Sequence, residues 1–451
     1  MYPSRFAYEA PKTVEEAIAI LDRSGGEGKN VSVRGLSSEL TLTELNGNYV
    51  ATAESNGDPT RSFNYTLMPS NMLSSAELFK TPEARIDEGG IGGTVILHTR
   101  RPLDVKSGSG FVNAEGTWAD TTKKGDGQFS GQYAWHDESN RFGILVGYTQ
   151  QKRTTRTMSA STENWQWYGD DYDAHPATDV NGKPSKLSSY WWGQSGFHDQ
   201  NGKYYTNFMM PTSVNESIKT EDRERKGGQL TLQFAPVKEL VTTLDYTYSE
   251  NKLQTKRNDV SAWFNFGDSR SSWTNGPVAA PLVYTELIPA GNSDIAMGAG
   301  NFATKTDNKS LGFNAQWRAT NDLKLEFDAH HSTAESMADS PYGSFNTLGT
   351  ASFSRGDTSV DFSKDFPVLS IAGADFVKAP QQVTGSNFQN RYMLGKIDQY
   401  QVKGRLRMLE SSNLNFGLGA IKVNNRSAEV NNQLDTWGGA SDRKSTRLNS
   451  S

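Results

Sequence analysis

The chain has no cysteine in its 451 residues, which excludes disulfides, zinc–thiolate centres and cysteine nucleophiles at once. It has no run of ~18–20 apolar residues, the length a membrane-crossing helix needs, and its mean hydropathy is −0.66. A helical membrane protein is therefore excluded. A β-barrel is not, because barrel strands alternate lipid-facing and lumen-facing residues and read as only half hydrophobic. An excess of one charge sign is also missing: 46 Lys and Arg stand against 51 Asp and Glu, a net charge of −5. With no long basic run, no nucleic-acid partner is expected. The chain does not open on a charged stretch followed by an apolar one, so no signal peptide is visible.

Chemistry-bearing motifs are scarce as well. Walker A, G-x-S-x-G and H-E-x-x-H patterns are absent. The glycine-rich stretch Glu88–Gly93 lacks the lysine of a phosphate cradle and runs into a strand pattern. His330 and His331 are adjacent on a strand pattern and would point to opposite faces, so they do not share a metal. Asp170, Asp171 and Asp173 lack the spacing and terminal glutamate of a calcium loop. No catalytic residue, metal site or cofactor is expected.

What is present is alternation. Phe129, Gly131, Tyr133 and Trp135 form one stripe against Gln128, Ser130 and Gln132, and Phe142, Ile144, Val146 and Tyr148 follow a short polar turn. This is a hairpin pattern. It recurs at Leu230–Tyr248, at Leu311–Phe327 and at Tyr400–Leu418. Between the hairpins lie polar stretches at roughly 153–226, 250–309 and 332–397. Counting strands from 111–119, these long connections all fall at one end of the sheet and the tight turns at the other. Outer-membrane barrels segregate loops in this way, and their strands run to about 9–11 residues. Before the barrel pattern, Val31-Val33, Leu45, Ala76–Phe79 and Thr94–Leu97 read as short strands with one helix near Asn71, a small α/β unit.

Several stretches resemble the plug of TonB-dependent outer-membrane receptors: Val31-Ser32-Val33-Arg34-Gly35, Leu45-Asn46-Gly47, Ser75–Pro82, and Glu88-Gly89-Gly90-Ile91-Gly92-Gly93-Thr94-Val95. The expected fold is a mixed α/β plug domain followed by an incomplete antiparallel transmembrane β-barrel, with about nine of the 22 strands that the resemblance implies. It also implies a location in the cell outer membrane of a Gram-negative bacterium, contact with outer-membrane lipid, and no enzymatic activity. The implied function is active uptake of a scarce bulky nutrient, a glycan or a ferric siderophore, coupled to a TonB-type protein whose contact motif is missing here. A passive porin is the alternative that the plug opposes.

The two ends read differently. Met1–Phe6 and Pro11–Ala17 resemble the opening of the FAD-binding subunit of molybdenum hydroxylases, with Thr13 and Glu16 forming a capping box; the other reading is a plug helix. Residues 442–451 lack alternation and read as a non-native tail. The expected division is a foreign segment at 1–28, the plug at 29–104, the barrel at 105–441 and the tail at 442–451. The first long connection carries Trp165, Trp167, Tyr168, Tyr190, Trp191 and Trp192 among polar residues. Flat aromatic faces beside hydrogen-bonding groups suit a sugar or aromatic ligand, so these are the candidate substrate contacts; the other reading is that they fold the loop onto itself or sit at the membrane interface.

Overall fold

The computed structural model describes residues 30–53, 62–65, 68, 72–81, 83, 86–168, 197–205, 207–265, 268–289, 293–372, 378–409 and 412–435. Four short strands come first: β1 (Thr41–Leu45), β2 (Asn48–Tyr49), β3 (Leu73–Phe79) and β4 (Gly93–Thr99). They form one sheet in the order β2-β1-β4-β3, with β1 parallel to β4 and the other pairs antiparallel. Asn46 and Gly47 join β1 to β2 with φ of 53° and 83°, the paired positive values that a two-residue hairpin turn demands. The Asn46 side chain then fastens this turn to β4, accepting from the Thr99 amide at 2.9 Å and donating to its hydroxyl at 3.0 Å.

Alternation gives this sheet two unlike faces. Leu45, Val95 and Leu97 pack with Val50 and Phe63 into an apolar core, joined by Tyr65, Met68, Leu73 and Ala76. On the other face, β1, β4 and β3 carry Glu44, Ile96 and Glu77, paired side by side. The helices expected within residues 1–28 and near Asn71 lie outside the described residues.

From Ser109 the chain becomes a meander: β5 (Ser109–Ala119), β6 (Lys124–His136) and β7 (Phe142–Glu163). Four short strands follow, β8 (Gln166–Tyr168), β9 (Phe197–His198), β10 (Tyr204–Tyr205) and β11 (Phe208–Met210). Then come β12 (Ser213–Val237), β13 (Leu240–Trp263), β14 (Ser269–Trp273), β15 (Pro281–Glu286), β16 (Ser293–Arg318) and β17 (Leu323–Ala338). The described chain ends with β18 (Phe345–Arg355), β19 (Thr358–Asp361), β20 (Val368–Ile371), β21 (Gln382–Leu409) and β22 (Ser412–Leu434). The long strands pair antiparallel in sequence order from β5 to β22.

The connections at 137–141, 238–239 and 319–322 lie at one end of this sheet, and those at 164–212, 264–292 and 339–381 at the other. That is the segregation expected from the sequence. The strand lengths are not. β12 has 25 residues and β21 has 28, well beyond the 9–11 that cross hydrocarbon, so the stretches expected as loops are largely strand. Hydrophobic alternation is clearest in the band that meets lipid; above it polar residues become frequent on both faces and the pattern fades. A further strand was also invisible. β17 leaves the upper part of β16 without a neighbour, and β18 fills the gap, pairing with β16 on one side and β21 on the other.

The wall is inside-out relative to a water-soluble sheet. On β13, Thr243 and Thr247 are 2% and 4% exposed while Leu244 and Tyr246 are 42% and 38% exposed. Apolar side chains face outward and polar ones face the plug, as bilayer hydrocarbon requires. The plug backbone comes close to this polar face at Gly395, where a Cβ would lie 2.8 Å from the Thr52 carbonyl oxygen. Gly395→Val should therefore leave strand pairing intact and push the plug off the wall, at a cost of about 1–3 kcal/mol for overpacking. Faster proteolysis within residues 30–100 at unchanged far-ultraviolet circular dichroism is the expected result; an equally resistant plug would refute the close fit.

Candidate functional site

The plug meets the wall through hydrogen bonds. The Tyr49 amide donates to Gln399 Oε1 at 2.8 Å, and the Ala51 amide donates to Ser332 Oγ at 2.9 Å. Asn308 Nδ2 donates to the Ala51 carbonyl at 2.8 Å. Farther along the chain, the Leu103 amide donates to Gln233 Oε1 at 2.9 Å and Gln229 Nε2 donates to the Arg100 carbonyl at 3.0 Å. Among the described residues, apolar contact includes a small cluster of Ala51, Ala53, Ala334, Met393 and Ile397 and the approach of Pro102 and Leu103 to Gly143. Such an interface exchanges readily with water and holds little of its energy in buried apolar area.

The Asp87 side chain reaches three groups of the wall. One carboxylate oxygen accepts from Gln399 Nε2 at 2.8 Å and from Gln401 Nε2, and the other lies 3.8 Å from Lys403 Nζ. All three partners lie on alternate positions of β21, so strand pleating alone aims them at one carboxylate. Sequence reading missed Asp87 because no local pattern marks an acid whose partners lie over 300 residues away.

The plug-motif residues do converge. Val33 is buried, and Arg34 and Gly35 turn the chain with φ of 57° and 72°. A Cβ on Gly93 would meet Val33 Cγ1 at 3.2 Å and the Phe79 carbonyl at 2.9 Å, and one on Gly92 would meet the Leu40 carbonyl at 3.3 Å. Gly89 has φ of 125°, and Gly90 is closed in by Thr94 and Gly93. The hydroxyl of Ser32 bonds to the Leu36 carbonyl. These residues build the fold of the plug sheet rather than a ligand pocket.

The expected aromatic contacts divide. Tyr190, Trp191 and Trp192 lie outside the described residues. Trp167 and Tyr168 belong to β8, which pairs with β11. Trp165 is 40% exposed and packs against Phe362 of another long connection, ring centroids 6.2 Å apart.

The long connections together form a cap. Strands β14, β15, β19 and β20 make a separate four-stranded sheet. Phe208, Met210, Val214, Phe264, Trp273, Tyr284 and Val360 share one apolar core, so residues from all three long connections fold together. Trp273 is 5% exposed, and its indole donates to Ser271 Oγ at 2.8 Å. Arg355 and Glu286, each 1% exposed, face each other at 3.6 Å. Burial lowers the Arg355 pKa, and Glu286 opposes that shift. Val214, Ala262 and Ile295, all fully buried, share the outward parity of Leu230, Leu244 and Leu311. The cap core thus rests on the outward face of the strand tops.

On the lumenal face, β7 and β12 bring Arg153 directly opposite Arg223, with Gln151 opposite Arg225. Gln151 accepts from Arg225 Nε at 3.1 Å. Like charges in register disfavour strand pairing, so this arrangement costs stability that the wall makes up elsewhere.

Two outcomes test these assignments. Asp87→Ala should strand Gln399, Gln401 and Lys403 against a buried gap and weaken plug retention by about 1–3 kcal/mol, read as plug release at lower guanidinium with the barrel intact. Trp273→Ala should cost the cap about 3–5 kcal/mol, exposing all three long connections to protease together. Cleavage confined to one connection would show that the cap is not a unit.

Residues 9–94 match the family model described as "TonB-dependent Receptor Plug Domain". The match begins inside the segment expected to be foreign, and no comparison supports the resemblance of the first twenty residues to a flavin-binding subunit. A comparison with curated proteins finds no match. Among solved structures, the siderophore receptor PiuA of Acinetobacter baumannii aligns at 10% identity and a TM-score of 0.22, covering 88% of this chain and 74% of that one. The ferric citrate transporter FecA aligns at 11% and 0.24, covering 87% and 63%. PirA, another siderophore receptor of A. baumannii, aligns at 8% and 0.25, covering 89% and 70%. Similarity this low carries no argument, and the plug match stands alone. By this match residues 9–94 carry the plug domain of TonB-dependent receptors, a family of transporters of the Gram-negative outer membrane and not enzymes.

Proposed function

We propose that the chain acts in active uptake of a scarce, bulky nutrient across the outer membrane, coupled to a TonB-type energy-transducing protein. The observation that carries this reading is the polar seating of the plug on the inner wall. The amides of Tyr49 and Ala51 are each held by one side chain, of β21 and β17, and the carboxylate of Asp87 by three of β21, bonds that a modest pull can exchange for water. A passive porin has no use for an obstruction held in this way.

Of the two substrate classes, a charged ferric siderophore is better supported than a neutral glycan. Phe208, Trp273 and Tyr284 go into the cap core and Trp165 packs on Phe362, while Tyr342 and Phe366 of the 339–381 connection are exposed. The lumenal wall instead carries Arg153, Arg223 and Arg225 on one face, each already engaged within the protein, and a guanidinium with five donors in a fixed fork can pair with carboxylate and phenolate oxygens as well. Binding of ferric citrate, ferric catecholates and oligosaccharides to the chain in detergent separates the classes. Arg223→Ala should weaken binding of an anionic ferric complex by about tenfold or more, equivalent to ~1.4 kcal/mol. Saturable oligosaccharide binding with no response to ferric complexes would overturn the choice.

A further inference from the structure

Glu44 is a buried acid that the plug-to-wall contacts do not use. It sits on β1 at 2% exposure, and its Oε1 has no hydrogen-bond partner among the described residues. An unpartnered buried carboxylate is costly, and here it lines a cavity of about 950 Å³ between the polar face of the plug sheet and the barrel wall. Beside it stands Asp87, whose oxygens are already engaged by Gln399, Gln401 and Lys403. Two plug carboxyls therefore share one wall lysine.

We propose that Glu44 is a proton-binding site that seats the plug: protonated, it leaves Asp87 balanced by Lys403, and ionised, it adds an uncompensated charge that favours release from the wall. The inference rests on the docked plug and not on the identity of the substrate. Burial, reinforced by Asp87 and partly offset by Lys403, raises the Glu44 carboxyl from 4.5 to about 7. Lys403 is the cation that acts on Glu44, and the other charges around the cavity are mixed in sign. On the plug sheet, His98 is paired with Glu77 at 3.4 Å. On the wall, β17 contributes Glu326 and Asp328, which add negative charge, and Lys324; Arg318 and Arg405 stand at the ends of β16 and β21. The segment after β4 and the β12–β13 turn contribute near-neutral sets, Arg101 with Asp104 and Lys238 with Glu239.

The sign of the linkage follows from proton counting. The docked plug holds the Glu44 proton up to about pH 7, whereas a released, hydrated Glu44 loses it near the ordinary glutamate value. Docking is then strongest below pH ~4.5, weakens through the window up to about 7 and is level above it, a change on the order of a hundredfold.

Hydrogen exchange at the Tyr49 and Ala51 amides reads docking directly, because each is bonded to a wall side chain. With the full chain in detergent and rates corrected for intrinsic exchange, their protection should fall about a hundredfold between pH 4.5 and 7. Glu44→Gln should be protected at all these pH values with a flat profile, while His98→Gln keeps the wild-type profile. Lys403→Met should move the midpoint to higher pH, which keeps the proposal testable if the glutamine variant folds poorly. A flat wild-type profile would overturn it, as would a pH dependence that survives Glu44→Gln or disappears with His98→Gln.

Discussion

Bilayer hydrocarbon accepts no unpaired backbone donor and no polar side chain, and everything else in this protein follows from that constraint. It forces the wall into continuous antiparallel pairing and turns the usual amphipathicity inside out, with Leu244 and Tyr246 outward and Thr243, Asp245 and Thr247 inward. A wall built this way presents its plug with hydroxyls, amides and carboxyls. The plug sheet answers with one apolar face, closed over its own core of Leu45, Val95 and Leu97, and one polar face turned to the wall.

The energetic consequence is an obstruction that is specific in position but weak in cohesion. Hydrogen bonds at the interface fix register because a shifted partner is left unsatisfied, yet each contributes only about 0.5–1.5 kcal/mol net against water. An apolar interface of the same extent would be far harder to open. Polar seating, a shared lysine between two plug carboxyls, and a cavity of about 950 Å³ beside them suit a contact that can be broken and remade.

At the opposite end the physics reverses. Above the lipid band the strands enter water, and the outward face needs covering if it carries apolar residues. Val214 packs with Phe208, Trp273, Tyr284 and Val360, Ala262 and Ile295 are fully buried as well, and the buried Arg355–Glu286 pair lies in the same cap. Breaking such a pair by removing one partner typically costs about 3–5 kcal/mol, so the long connections are held to one arrangement. Their aromatic residues, which in the sequence suggest ligand contact, therefore include structural ones: a tryptophan in a polar stretch marks a place where apolar area is buried, without saying what buries it.

The sequence by itself determined the class of the fold, the order of plug and wall, and the end at which the long connections lie. Each of these is written in short-range pattern: period-two alternation at Phe129–Trp135, the Asn46-Gly47 turn, and the glycines at 89–93. Tertiary structure alone decided how far the strands extend, where β18 inserts, and which residues of the polar stretches make the cap core. It alone brought Asp87 to Gln399, Gln401 and Lys403, and left Glu44 Oε1 without a hydrogen-bond partner among the described residues. The reason is physical. Alternation records which face meets lipid, whereas a polar side chain looks the same in sequence whether it is solvated, bonded across three hundred residues, or buried beside another charge.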